Sequence, residues 1–270
     1  MKTAIIGRGL IGGSLEKAAR RAGFEAEIFR GRGPLPDLSG FDIVFVATPP
    51  DAVVPIVEAI AAADTLDDGA RVIDIAGVKT GICRALARYS LGGRWRFTGG
   101  HPMAGKEKTG YANSVETLFD RASMILTPPE EAIDEFRKRD LPALETYFKA
   151  LGFGRVVVTG CEHHDAMIAF TSQLCHLISS AYVREPLAAR HAGFSAGSFK
   201  DMVRVGAPDP DVWTELFFDN AAHLVPVLER YISRLELFRN ALSAGDREAM
   251  LAALREGVAA KNIIDEERKF

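Results

Sequence analysis

Residues 2–22 read K-T-A-I-I-G-R-G-L-I-G-G-S-L-E-K-A-A-R-R-A, and the fold is decided there. A short apolar run, K-T-A-I-I, has the character of a β-strand. It meets Gly7-Arg8-Gly9-Leu10-Ile11-Gly12 at once, and helix-compatible residues continue to about Ala22. A lone G-x-G-x-x-G is weak evidence, but between a strand and a helix it has a mechanism. The glycines allow a tight turn and close approach of a pyrophosphate, whose charge is received by the unpaired N–H groups at the helix N-terminus. Gly7, Arg8, Gly9, Leu10, Ile11 and Gly12 are therefore the candidate dinucleotide-binding residues.

Working outward, E-A-E-I-F at 25–29, D-I-V-F-V-A at 42–47 and R-V-I-D-I-A at 71–76 read as further strands. Their near-continuous apolar character suits a parallel sheet covered on both faces. Helical stretches lie between them, one opened by Pro49-Pro50-Asp51 and one running from Lys79 to about Tyr89. This alternation predicts an α/β fold, a doubly wound sheet. The Gly31–Gly40 link, with two prolines and three glycines, is too short for a crossover helix. Beyond Val158 only helical periodicity remains, which predicts a dinucleotide-binding domain over 1–158 and an all-α domain over 159–270. Helices are expected at 162–184 and at 211–243, the latter with a kink at Pro226. Leu224, Leu228, Tyr231, Leu235, Phe238 and Leu242 form a seam that fits either core packing or a dimer interface.

The chain has 270 residues, 47% apolar and 26% charged, with 33 basic against 36 acidic side chains and a net charge of -3. That composition is globular. It makes nucleic acid and anionic membrane poor partners and a small molecule the expected one. No apolar run reaches the ~18 residues of a membrane span, and the N-terminus does not read as a signal peptide, so a cytoplasmic location is expected. Cys83, Cys161 and Cys175 lack Cys-x-x-Cys spacing and are expected to be buried free thiols, with no metal site.

An NAD-binding unit carries an acid about 20 residues past its glycines, on the adenosine ribose. Here the corresponding stretch is Phe29-Arg30-Gly31-Arg32-Gly33, with no acid and two guanidiniums. Arg30 and Arg32 point to NADP, with NAD still possible, unless both are solvated loop charges. His101, in Gly99-Gly100-His101-Pro102-Met103-Ala104-Gly105, follows a strand expected at 95–98 and reads as one titratable side chain on a rigid loop at the carboxyl edge of the sheet. Asp165, Ala169, Ser172 and His176 share a narrow arc at 100° per residue, so the stripe lines a wet site or forms a satisfied structural network. His164 lies beside it. Arg204 either clamps a carboxylate, for which guanidinium is well suited, or pairs with Asp201.

Taken together, G-R-G-L-I-G-G-S at 7–14, V-K at 78–79, H-P-M-A-G-K-E-K-T-G at 101–110, H-D at 164–165, S-Q-L-C-H at 172–176, F-S-A-G-S-F-K-D-M-V-R at 194–204 and Trp213 resemble the prephenate dehydrogenase family, arogenate dehydrogenases included. The resemblance covers nearly the whole chain. It implies a Rossmann-type N-terminal domain, an all-α C-terminal dimerisation domain, and a homodimer. It also implies oxidative decarboxylation of prephenate to 4-hydroxyphenylpyruvate. By that resemblance His101 is the general base. His176 and Arg204 hold substrate carboxylates, Ser172 and Trp213 support the site, and Glu107 and His164 lie near it. Gly77 and Lys79 fall with the cofactor-binding residues. Gly77 departs from the family, which commonly has there a serine bonded to the catalytic imidazole, so another group must orient His101. Lys106 replaces a small hydroxyl residue. Competing readings are an arogenate dehydrogenase, a catalytically silent nucleotide-binding sensor, and an unrelated two-domain reductase relying on Lys200.

Overall fold

A computed structural model describes residues 1–106 and 108–267. Seven strands form one sheet in the order β2-β1-β3-β4-β5-β6-β7. They are β1 (Lys2–Ile6), β2 (Glu25–Phe29), β3 (Ile43–Val46), β4 (Arg71–Asp74), β5 (Arg96–Pro102), β6 (Ser123–Thr127) and β7 (Arg155–Val158). The first five are parallel, β6 runs antiparallel to β5, and β7 is parallel to β6. Helices α1 (Leu10–Arg21), α2 (Pro50–Ala63), α3 (Thr80–Leu86), α4 (Ile133–Arg139) and α5 (Leu141–Ala150) cover it. No helix joins β2 to β3, as the prolines and glycines of the link predict.

The central strands β1, β3 and β4 are buried on both faces, which is why they are largely apolar, while the edge strand β2 exposes Glu25 and Glu27. Ala4, Ile6, Val44, Val46 and Val72 face one cluster with Val53, Val57 and Ile60 of α2. Ile5, Ile43, Phe45 and Ile73 face the other, against Leu15 of α1 and Leu144, Tyr147 and Phe148 of α5. Each such side chain contributes about 1.5–3 kcal/mol, and the two clusters fix the register that brings the carboxyl ends of β1, β3, β4 and β5 to one edge.

The chain forms two compact units, Met1–Asn220 and Ala221–Phe270. In the first, the sheet is followed by α6 (Cys161–Ile168), a π-helical turn (Ala169–Gln173) and α7 (Leu174–Val183), then by α8 (Gly197–Val203) and α9 (Pro210–Asp219). The expected boundary at 158/159 falls inside this unit, where β7 gives way to α6. The stretch Cys161–Val183 is long and apolar enough by composition to cross a membrane; it also carries the buried polar residues His164, Asp165 and Gln173. The second unit is a hairpin of α10 (Ala221–Ala244) and α11 (Arg247–Glu267). Asp246 caps α11 through a 2.9 Å bond from the Ala249 amide.

Several expectations change. The helix expected over 211–243 breaks at Asn220 and continues through Pro226, because the Asn220 amide is pulled onto the Asp165 carbonyl at 2.9 Å and the Gln173 side chain at 2.7 Å. Cys83 is buried, Cys161 half-buried and Cys175 exposed, so only the first matches the buried thiols expected. Burial pushes the Cys83 thiol up to about 12.

Candidate active site

Gly7 has φ 124°, a conformation open mainly to glycine, and its amide donates to the Phe29 carbonyl at 3.0 Å. A side chain there would run into the Ala47 carbonyl. Gly9 differs. It caps α1 without any side-chain hydrogen bond, and nothing lies within 4 Å of where its Cβ would be. That opening at a helix N-terminus is the cradle a pyrophosphate requires. Leu10 is buried and anchors the first turn, while Ile11 is half-buried. Arg8 lies 4.4 Å from the Tyr111 ring. Beside the turn, Thr48 Oγ1 is buried with no hydrogen-bond partner. An orphaned buried hydroxyl calls for explanation, and a polar group of a bound dinucleotide would satisfy it. Gly31 packs against the Thr48 methyl and Gly7, so Arg30 and Arg32 flank the same turn. Both are exposed, and neither has an ion-pair partner among the described residues.

His101 lies within β5, paired opposite Ile125 of β6. It was expected on a loop; the antiparallel β6 extends β5 through Pro102, so sheet pairing supplies the rigidity. Gly99 and Gly100 are needed for close packing. A Cβ at Gly100 would lie 2.6 Å from the Asp74 carbonyl oxygen. The His101 ring is half-buried. Its Nδ1 is 2.9 Å from Nε2 of the buried His164, whose Nδ1 is 2.7 Å from Asp165 Oδ1. Asp165 accepts the Lys79 amide at 2.8 Å and the Thr80 amide at 2.7 Å. Burial alone would raise the Asp165 carboxyl, but the bonds from His164, Thr80 and Lys79 outweigh it and hold the group below its ordinary value. Burial pushes the His101 imidazole well below the ordinary histidine value, with the His164 ring and the Lys79 ammonium adding to the shift and Asp165 opposing it.

Lys79 is wholly buried. Its ammonium is bonded to Asp74 and, at 2.8 Å, to the Gly100 carbonyl, so its charge is engaged inside the sheet. Gly77 sits at His101: a Cβ there would lie 3.9 Å from Nε2 and 3.5 Å from Leu216 of α9.

A cavity of about 940 Å³ collects His176, Arg204 and Trp213 with Lys106, Lys108, Thr109 and Asn113. The His176 and Trp213 rings are 3.6 Å apart between centroids, and His176 Nδ1 bonds the Val205 carbonyl at 3.1 Å. Burial lowers the His176 value and Arg204 adds to this, while the Val205 bond opposes it. Arg204 is exposed to the cavity and makes no ion pair with Asp201. Asp209 also lines it, but its carboxylate caps α9 through the Asp211 and Val212 amides. Val212 is shared with a second cavity, of about 560 Å³, lined by Pro49, Pro50 and Val78. α9 therefore forms a wall common to the two cavities, and its Leu216 reaches Gly77.

The structure brings His176, Arg204 and Trp213 into one cavity, while His101 and His164, hydrogen-bonded to each other beside Gly77, are not among the residues lining it. Ser172 is half-buried on the π turn and is not among the residues lining that cavity. Glu107 lies outside the described residues. Sequence reasoning missed Thr48, Asp74 and the role of Asp165. The apolar strand ending in Ala47-Thr48-Pro49 at the carboxyl edge was the available signal for the first.

A Gly-rich strand-turn-helix on a doubly wound sheet, followed by a helical region, defines a nucleotide-binding dehydrogenase architecture. Residues 2–152 match the family model for the prephenate dehydrogenase nucleotide-binding domain, and residues 160–256 the model for its dimerization domain. The chain belongs to the prephenate dehydrogenase family. It is 32% identical to the cyclohexadienyl dehydrogenase of Zymomonas mobilis over 60% of this chain and 55% of that protein. With the prephenate dehydrogenase of Bacillus subtilis it shares 26% over 76% of this chain and 55% of that one. The chain thus spans about half the length of these two curated relatives. The structure of prephenate dehydrogenase from A. aeolicus, in complex with hydroxyphenyl propionate and NAD+, superposes with a TM-score of 0.76 at 25% identity, covering 98% of each chain.

Proposed function

We propose that this protein oxidatively decarboxylates prephenate to 4-hydroxyphenylpyruvate with NADP, using His101 as general base. The observation that carries the reading is α9, which sets Leu216 beside Gly77 and His101 and sets Trp213 in a cavity holding three cations, Arg204, Lys106 and Lys108. A dicarboxylate of net charge -2 suits that cavity. His101 accepts the ring hydroxyl proton as the carbonyl forms, a task for which a group neutral at physiological pH is suited. Arg204 and His176 hold the carboxylates, with the Trp213 ring tilted against His176, and Ser172 and Glu107 are assigned to substrate binding. A bound nicotinamide supplies the hydride acceptor, and loss of CO2 makes the ring aromatic. Gly7 to Gly12 cradle the pyrophosphate, Gly77 borders the cofactor, and the Lys79 backbone shapes that border. The relative holding NAD+ supports a nicotinamide cofactor, and Arg30 and Arg32 favour a 2'-phosphate on it. We assign 1–158 to nucleotide binding and 159–270 to substrate binding and homodimer formation, in the cytoplasm.

Arogenate is the second reading, favoured by one observation. A neutral His176 that donates Nδ1–H to Val205 offers a bare Nε2, an acceptor for an ammonium. Steady-state assays of prephenate and arogenate, each with NAD and NADP, decide. The expected order has prephenate with NADP first, with a cofactor preference of about 10- to 100-fold from one charge-assisted contact. Arg32→Asp should reverse that preference with turnover kept at saturating cofactor. Higher kcat/KM with NAD in the wild type would make both arginines solvated charges, and turnover of neither acid would remove the dehydrogenase reading.

A further inference from the structure

We propose that His164, backed by Asp165, is the positioning residue that fixes His101 in the tautomer bearing its proton on Nδ1, which leaves Nε2 bare toward Gly77. This deepens the reading of His101 as general base, and its test has a part that needs no turnover.

Proton bookkeeping along the chain of bonds leads to this assignment. Both oxygens of Asp165 already accept: Oδ1 from the Lys79 amide and Oδ2 from the Thr80 amide, at 2.8 and 2.7 Å. An ionised carboxylate has no proton to give, so the 2.7 Å contact with His164 Nδ1 requires the proton to be on His164. With His164 a neutral ring, a state that 15N spectra of its side chain read directly, its other nitrogen, Nε2, is then an acceptor. It lies 2.9 Å from His101 Nδ1, which must donate. His101 Nε2 is left without a proton. That nitrogen lies next to Gly77, where a Cβ would come within 3.9 Å; the missing side chain leaves its lone pair clear. An isolated imidazole prefers the opposite tautomer, with the proton on Nε2, and such a ring could not take a proton from a substrate hydroxyl.

The support is rigid. His164 and Asp165 are almost wholly buried, and the Asp165 carbonyl is held by the Asn220 amide at 2.9 Å. The groups acting electrostatically on His101 are the His164 ring, the Lys79 ammonium, itself paired with Asp74, and Asp165 on α6. A carboxylate that orients a catalytic histidine is a familiar arrangement; here a second imidazole is interposed between the two. Among the described residues, the side chain nearest the Gly77 position besides His101 is the apolar Leu216.

The experiment compares the full-length wild type with His164→Gln and His164→Leu. Glutamine can accept the His101 Nδ1–H through Oε1, and leucine cannot. 15N spectra of the histidine side chains at neutral pH, with His101 assigned by its loss in His101→Asn, should show a bare Nε2 and a protonated Nδ1 in the wild type and in His164→Gln. In His164→Leu the proton should move to Nε2. Turnover should follow: kcat falls about 10²-fold in His164→Leu and less than tenfold in His164→Gln, with KM changed less than threefold in both. A wild-type His101 protonated on Nε2 overturns the proposal, as does a glutamine variant that falls as far as the leucine one. If His164→Leu fails to fold, the wild-type and His164→Gln spectra still decide. A wild type with the expected spectrum that oxidises neither acid would refute the proposed function and leave this inference standing.

Discussion

His176 donates its Nδ1 proton to the Val205 carbonyl at 3.1 Å, which makes its task toward substrate depend on pH. Burial and Arg204 lower its value, so in the proposed role a substrate carboxylate opposite Nε2 would meet a lone pair unless the ring takes up a proton. Holding that carboxylate requires proton uptake. The KM for prephenate should therefore rise with pH above neutrality, by up to about tenfold per unit, since one unit of pKa is worth 1.36 kcal/mol. In His176→Gln, whose amide donates at any pH, the profile should be flat between pH 6 and 9. A flat wild-type profile would leave carboxylate binding to Arg204 and the lysines. At this scale the sequence was informative about residue types and less so about partners. His176, Arg204 and Trp213 were legible from their stretches, but the His101–His164–Asp165 chain joins β5 to α6 across 63 positions, a separation that carries no local pattern.

Asp140 shows the same contrast between elements. It starts α5 and is almost wholly buried, and it accepts from Arg96 at 2.7 Å, Arg139 at 3.0 Å and Arg71 at 3.2 Å, tying α5 to β4 and β5. Burial alone would raise its carboxyl, but the bonds from Arg96 and Arg139 prevail and hold it below the usual value. A folded value below the unfolded one gives stability that is present above the unfolded value of about 3.9 and lost as pH falls through the folded one. Asp140→Asn should cost about 2–4 kcal/mol at pH 7, with the gap to wild type narrowing below about pH 4. Urea unfolding at pH 7, 4 and 3 measures both; a gap unchanged down to pH 3 would mean the cost is packing alone. The apolar strands and glycine turn made the parallel half legible. The short β6 and β7 were not, because nothing in five or four residues sets their direction. Nor was the π turn at Ala169–Gln173: a stripe drawn at 100° per residue assumes 3.6 residues per turn, and one wider turn rotates Ser172 and His176 away from Asp165.

On the scale of the whole molecule, the question is what covers the helices of the second unit. Along the seam of α10, Leu235 is 49% and Leu242 73% exposed, and on α11 Leu254 is 53% and Ile263 61% exposed. Scattered apolar residues on a surface need no explanation, but a row of them along two paired helices does. Leu224 is buried and Leu228, Tyr231 and Phe238 are half-buried within the chain, so core packing accounts for most of the seam, and Leu235 and Leu242 are the part left for an interface. The match of residues 160–256 to a dimerization domain points to an interface, in keeping with the homodimer proposed above. The protein should sediment at micromolar concentration as a dimer of its 29.3 kDa chain. Placing Glu at both Leu235 and Leu242 would bury unpaired carboxylates on each side of the interface. Each costs several kcal/mol, enough to shift the Kd by more than about 10³-fold. That double variant should sediment as a monomer with its helical circular dichroism kept, since neither leucine is buried within its own chain. A wild type that is monomeric at micromolar concentration would reject the dimer, and a double variant that stays dimeric would move the interface to another surface.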